Sequence, residues 1–360
     1  MKTQKLIALV AAALLAFGAQ AGSLDDIGSR SDRVALTGNQ TAPTNWRLAD
    51  GMTFNGTSFD GVARLLFDND GDLNNGSGVC SGTLLKGGAY VLTAAHCADD
   101  FNVMRIDFGI YGNVAKETRG VSKAFVHSGW DGGAYLGMGS DIAILKLDRP
   151  VTTIQGFNMS GTNDLGKDFL IMGYGTTTTG GSATPTNWDD WGWGHFGYNT
   201  ADVDGKTFNT AIFGNDARDD KFGMEYIADY DSMTNRANHN TLARLAGISG
   251  NQWSSSQGLG LNEALISGGD SGGGDFVWNG TEWLLSGVHS WGWQICPNSW
   301  GCDFSKANSS SWGDISGSTA VFSHTAWLNS TMGVPEPGAL AIAALMAAGF
   351  AGRRRKSKSA

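Results

Sequence analysis

Proline is scarce in this chain, at 6 of 360 residues, and charged residues make up only 16%. Glycine is plentiful at 53, yet glycine and proline together stay below the roughly 25–30% at which low complexity becomes the default reading. No Gly-X-Y period runs through it. Collagen-like structure and wholesale disorder are therefore excluded. No Cys-x-x-Cys occurs, and the absence of His-Glu-x-x-His argues against a zincin. No internal repeat is present. A chain rich in glycine and poor in charge and proline reads as strands joined by loops.

The two ends differ from the rest. Residues 1–21 carry Lys2 and Lys5, an apolar run from Leu6 to Phe17, and Ala19-Gln20-Ala21. That order of basic start, short apolar stretch and small-residue cleavage site predicts a secretory signal peptide. The apolar run is too short to span a bilayer as an ordinary helix. At the other end, residues 334–360 hold Pro335-Glu336-Pro337, an apolar run from Gly338 to Gly352, and Arg353-Arg354-Arg355-Lys356. This tail resembles the PEP-CTERM sorting signal of Gram-negative bacteria. The resemblance implies transient anchoring in the inner membrane, recognition and removal of the tail by an exosortase-type enzyme, and display outside the cell or in an exopolysaccharide layer. A plain C-terminal membrane anchor is the alternative.

Without these ends 18 basic and 33 acidic residues remain, a net charge of −15. That balance argues against nucleic acid as a partner, because binding it rests on neutralising phosphates. Four cysteines, Cys80, Cys97, Cys296 and Cys302, in a secreted chain suggest two disulfides, and four cysteines allow three pairings.

Residues 22–47 are polar and read as a propeptide or lead-in. Short apolar runs follow at 62–67, 82–85, 89–93 and 142–147, with turn residues between them. They have strand lengths, and their spacing indicates a sandwich or barrel. Residues 176–260 are looser, with Trp188, Trp191 and Trp193 among glycines and a series of aspartates after them. Strand-like runs resume at 275–278 and 282–288, and 320–329 reads as a last strand running into a short amphipathic end.

Three segments carry chemistry: Leu92-Thr93-Ala94-Ala95-His96-Cys97, Ser140-Asp141-Ile142-Ala143-Ile144-Leu145 and Gly268-Gly269-Asp270-Ser271-Gly272-Gly273. A serine hydroxyl is a weak nucleophile until a neighbouring base takes its proton. A neutral imidazole is such a base near neutral pH, and a buried carboxylate fixes its tautomer. Glycines beside the serine let backbone N–H groups turn toward a developing oxyanion. In the order His, Asp, Ser these motifs strongly resemble the trypsin-like, chymotrypsin-fold serine peptidase family. The family template separates His from Asp by about 45 positions; Asp141 lies 45 after His96.

The resemblance makes His96 the general base, Asp141 its orienting partner and Ser271 the nucleophile, with the N–H groups of Gly269 and Ser271 as the oxyanion hole. It pairs Cys80 with Cys97 beside the catalytic histidine. It makes Ser290-Trp291-Gly292 the strand that lines the substrate main chain. The fold it implies is all-β, two packed antiparallel β-barrels over 48–160 and 161–333, with inserted loops in the second. The implied reaction is peptide-bond hydrolysis through an acyl-enzyme, with a polypeptide as partner and no cofactor or metal.

Departures bear on specificity. Gly274 stands where the family usually has proline, and Ser267 where it has a cysteine of the second disulfide, so Cys296 is expected to pair with Cys302. Leu265 falls at the pocket base where trypsins carry an acid. An apolar base cannot pair a buried Lys or Arg, and an unpaired buried charge is costly; cleavage after apolar or aromatic residues is expected. Arg47-Leu48 resembles the family's activation site, so a zymogen is expected in which the freed amino group of Leu48 pairs with Asp270. Arg33-Val34 is the alternative. Asp68-x-Asp70-Gly71-Asp72 and Asp229-Tyr230-Asp231 read as acidic turns rather than calcium sites, since the glycine in the first comes too early for an EF-hand loop. The rival class is a non-catalytic extracellular matrix or polysaccharide-binding protein on a protease frame, with the Trp-rich stretch as its support.

Overall fold

The structure, a computed structural model, describes residues 37–38, 45–74, 78–132, 139–177, 190, 192–213, 221–231, 242, 258–293 and 310–333. The signal-peptide and sorting-tail segments, with Pro335, Glu336 and Pro337, lie outside the described residues, as do Cys296, Cys302, Trp188 and Trp191. Among the described residues no helix is long and apolar enough to cross a membrane.

The first half is a closed antiparallel barrel of six strands: β1 (Val62–Asp68), β2 (Gly78–Leu84), β3 (Tyr90–Thr93), β4 (Val103–Tyr111), β5 (Val114–Val126) and β6 (Ala143–Leu147). Its order is β1-β2-β3-β6-β5-β4, with β4 returning to β1. The sequence-predicted strands at 62–67, 89–93 and 142–147 fall within a residue or so of β1, β3 and β6. β1 and β2 bury nearly every residue, so they read as continuous apolar or small-residue runs, whereas the long β5 keeps much of its length half-exposed and polar.

The second half contains β7 (Asp168–Gly173), β8 (His195–Thr200), β9 (Glu225–Asp229), β10 (Gly274–Trp278), β11 (Trp283–Trp293) and β12 (Ile315–Ala320). Their order is β8-β7-β10-β11-β12-β9, and Val203–Asp204 extends the sheet beyond β9. This sheet curls into a half-barrel and is not closed by strand pairing. The whole is nearly all-β, a closed six-strand barrel beside a curled half-barrel sheet, with few helices.

The last strand expected from 320 onward lies earlier in the chain, and the short amphipathic end after it is helical. β12 ends at Ala320, a 3-10 turn follows over Val321–His324, and α1 covers Thr325–Met332. β12 reads Ile-Ser-Gly-Ser-Thr-Ala, six buried residues with no apolar run, so the strand leaves little local signal, while in α1 the buried residue is Leu328. Gly333, with φ +71°, closes α1 in the left-handed conformation.

The two halves share one core. Phe59, Phe157 and Phe276 pack with ring centroids 4.7–4.9 Å apart, and buried side chains of β1–β6 continue into Leu170, Met172, Leu285 and Val288. Residues before the first barrel dock on the second half. Trp46 is buried with Phe169, Ile171 and Tyr226, and its carbonyl accepts the Phe196 N–H at 2.9 Å. Thr37–Gly38 pair antiparallel with Ala264–Leu265.

Candidate active site

His96 sits in a single 3-10 turn, Ala95–Cys97, that begins as soon as β3 ends. The disulfide Cys80–Cys97 fastens this turn to β2. Asp141, just before β6, is 1% exposed. Its Oδ2 accepts the Nδ1–H of His96 at 2.8 Å, and its Oδ1 accepts the backbone N–H of the same residue at 3.0 Å. Ser290 Oγ donates to Oδ2 as well, at 2.5 Å. The register of β11 against β12 slips between His289 and Trp291, a bulge that leaves Ser290 out of the ladder. The carboxylate thus faces three donors. With Nδ1–H engaged, His96 presents Nε2 as a proton acceptor. Burial opposes a charge on His96, but the Asp141 carboxylate and its hydrogen bond outweigh it, with help from Asp99, and the pKa is raised above the ordinary histidine value.

Ser271 arrives from the second half. Its carbonyl accepts the Ser81 N–H at 2.7 Å and lies 3.6 Å from Cys97 Sγ, beside the histidine turn. A Cβ at Gly272 would sit 2.0 Å from Thr93 Oγ1, so only glycine lets the serine turn approach β3 this closely. Among the described residues Ser271 Oγ makes no hydrogen bond. Such contacts commonly close only when substrate is bound.

The backbone of the turn is held from behind. Ser81 Oγ donates to the Gly269 carbonyl at 2.9 Å and accepts the Tyr174 N–H at 2.9 Å. The Gly268 carbonyl takes the Thr176 N–H at 3.1 Å. Gly269 has φ +97°, in the region that favours glycine. The N–H groups of Gly269 and Ser271 donate to none of the described residues. Two unengaged donors close together in one turn, next to a serine, can stabilise an oxyanion.

The other sequence-predicted residues fall as follows. Leu265 is buried and paired with Thr37. Trp291 is buried, with Nε1 donating to Glu225 Oε2 at 3.3 Å. Gly292 faces open space, since a Cβ there would meet nothing. Residues 294–309 lie outside the described residues. The structure does not bring Leu48 to Asp270. Leu48 is buried and its N–H donates to the Gly194 carbonyl at 2.7 Å. Arg47 grips Asp190 with Nε at 2.8 and 2.9 Å from the two carboxylate oxygens, and its guanidinium stacks on Trp193. Asp190 also takes His195 Nε2 at 2.6 Å, and burial notwithstanding, these partners pull its pKa down to about 2. Asp270 Oδ1 accepts the Gly175 N–H at 2.9 Å and Oδ2 the Ser267 N–H at 3.1 Å.

Trp193 packs edge-on against Tyr111 of the first barrel. Asp68 Oδ1 accepts the N–H groups of Asp70 and Gly71, an exposed turn that caps itself. Among the described residues the one cluster with metal-ligand proximity is Cys80, His96 and Cys97, and its two sulfurs are spent in the disulfide. Sequence reasoning missed Ser81, Thr176, Asp190 and the pair His289–Asp275. Ser81 adjoins the paired Cys80, and the partners of all of them lie on other strands or loops, where no local pattern points to them.

Residues 64–190 match the Trypsin family model, a stretch that includes His96 and Asp141 and ends before Ser271. Among solved structures, one titled "HL collagenase" is similar, with 17% identity, 79% of this chain and 100% of that chain covered, and a TM-score of 0.48. The family match covers about a third of the chain, including the first barrel from Arg64 onward, and supports a trypsin-like domain over that stretch.

Proposed function

We propose that this protein is a secreted serine endopeptidase with Ser271 as nucleophile, His96 as general base and Asp141 as its orienting partner. The observation that carries this is the Asp141 carboxylate holding His96 by ring and backbone while the serine turn is tied to the same strands. His96 Nε2 takes the proton of Ser271 Oγ as that oxygen bonds to the substrate carbonyl carbon. The N–H groups of Gly269 and Ser271 receive the oxyanion. The imidazolium then gives its proton to the leaving amine as the C–N bond breaks. Water, deprotonated by His96, releases the acyl group and restores Ser271.

The apolar Leu265 and the open position at Gly292 favour cleavage after apolar or aromatic residues. The terminal motifs support passage through the inner membrane of a Gram-negative bacterium, an exosortase-type processing partner, and release at the cell surface or in exopolysaccharide. Asp270 already has backbone partners in the uncut chain, and Arg47 and Leu48 are docked. Activation is by cleavage between Arg47 and Leu48, which frees the Leu48 amino group to move from its docked place and pair with Asp270. N-terminal sequencing of active protein beginning at Gly22 would contradict this.

The test is labelling of purified protein with a fluorophosphonate probe beside Ser271→Ala. Label on wild type alone places an activated nucleophile at Ser271. No label on folded wild type moves the reading to a non-catalytic matrix-binding protein.

A further inference from the structure

Behind the serine turn lies a second histidine–aspartate pair. His289, on β11, is fully buried, and Asp275, on β10, is 3% exposed. His289 Nε2 is 2.9 Å from Asp275 Oδ1, and Nδ1 is 3.1 Å from the backbone carbonyl oxygen of Asp270. The same residue brackets the turn with its main chain: its N–H donates to the Gly273 carbonyl at 2.9 Å and its carbonyl accepts the Gly272 N–H at 2.8 Å.

Both ring nitrogens face acceptors. A carbonyl oxygen only accepts, an ionised carboxylate only accepts, and a neutral imidazole has one N–H to give. Both contacts are satisfied when the ring carries two protons against the Asp275 carboxylate. The charged groups acting on the ring are Asp275 on β10 and Asp270 in the turn, while its neighbour across β12 is the uncharged Ser318. Burial works against a charged ring, but these two aspartates outweigh it and the pKa is raised.

The Asp270 carbonyl and the Ser271 N–H belong to one peptide group. In a trans peptide they point in opposite directions. An inward grip on the carbonyl therefore aims the N–H outward, and a donor on the carbonyl also strengthens that N–H as a donor.

We propose that His289, doubly protonated and paired with Asp275, is a positioning residue that grips the Asp270 carbonyl and so aims the Ser271 N–H at the oxyanion. This rests on the peptidase reading of Ser271. The Asp270 carbonyl also accepts the Gly273 N–H at 2.8 Å; when the ring loses its second proton the carbonyl keeps that bond, but Nδ1 turns a lone pair on it and the ring's share of the grip is lost, so the rate declines on the alkaline side. In Asp275→Asn the introduced amide would donate an N–H to Nε2 and leave Nδ1–H on the carbonyl, keeping the grip without the extra proton.

The experiment uses the full chain and the fluorophosphonate probe. Nitrogen-15 NMR of the histidine rings is expected to show His289 protonated on both nitrogens at pH 8. His289→Gln is expected to lower the maximal labelling rate by about 10- to 100-fold, less than or equal to the loss of an oxyanion donor, with the probe's binding constant nearly unchanged. Asp275→Asn is expected to label within a few-fold of wild type and to lose the alkaline decline. A singly protonated ring with labelling intact overturns the proposal alone. So does an alkaline decline that survives Asp275→Asn. Absence of labelling in wild type overturns the peptidase reading and this proposal with it, whatever the ring shows.

Discussion

His96 is held by Asp141 at two points, ring Nδ1 and backbone N–H, so neither the tautomer nor the position of the imidazole is free to change. An amide in place of the carboxylate offers one acceptor and one donor to these two N–H groups. Asp141→Asn should set the wrong tautomer and reduce fluorophosphonate labelling by about 10⁴-fold, the scale of the same change in the serine peptidase template. Ser290→Ala removes one donor to Asp141 Oδ2 and should cost about 1.5 kcal/mol, or tenfold. Equal effects of the two would contradict the assignment of Asp141.

The base must be neutral to take a proton. The pKa of His96 is raised by Asp141 against the opposing effect of burial. Labelling should fall as pH drops through a midpoint above about 6.5, the unperturbed histidine value. A rate that stays flat down to pH 5 would exclude His96 as base.

Ser81 serves two backbone groups from one hydroxyl. Ser81→Ala orphans the buried Tyr174 N–H and frees the Gly269 carbonyl. The expected loss is about 2–3 kcal/mol of stability, read from the urea midpoint, together with slower labelling because the turn 269–271 loosens. A variant as stable as wild type would show that water replaces the hydroxyl.

Stability should also fall toward alkaline pH. Burial pushes the Glu263 carboxyl up to about 8, against the hydrogen bonds it accepts from Asp231 and Leu259 and with the Asp229 charge adding to the rise. Asp202 is raised by burial and by Asp229 in the same direction. The folded chain then binds these protons more tightly than the unfolded chain does. Their stabilising contribution is complete below about pH 4.5 and is lost as pH climbs toward about 8. The urea midpoint should be higher at pH 5 than at pH 8, and Glu263→Gln should shrink that difference. Equal midpoints in wild type would contradict it.

Much of the site was legible because its parts lie in short, glycine-marked motifs. His96, Asp141 and Ser271 each sit where a strand ends or a turn begins, and such positions leave local composition signals. The strands of the first barrel were legible for the same reason, being apolar runs between turn residues. β5 was not, because a half-exposed polar strand has no apolar run to read. The support behind the turn was illegible too. His289 sits inside a strand and Asp275 near the start of another, where each alone reads as a packed residue. What makes them a pair is the β10–β11 register, which places Asp275 opposite Gly287. The docking of Trp46 and the grip of Arg47 on Asp190 span more than a hundred residues and carry no local pattern.

The bond from Ser81 to Gly269 joins positions 188 apart in the chain. Chain growth runs from the N-terminus, and long-range pairings form slowly. The barrel holding His96 and Asp141 is complete by residue 147, long before its partner turn has been made. On the proposed reading, a nascent or truncated chain would have a base with no hydroxyl to activate, and activity would wait until the last third of the polypeptide has folded back onto the first.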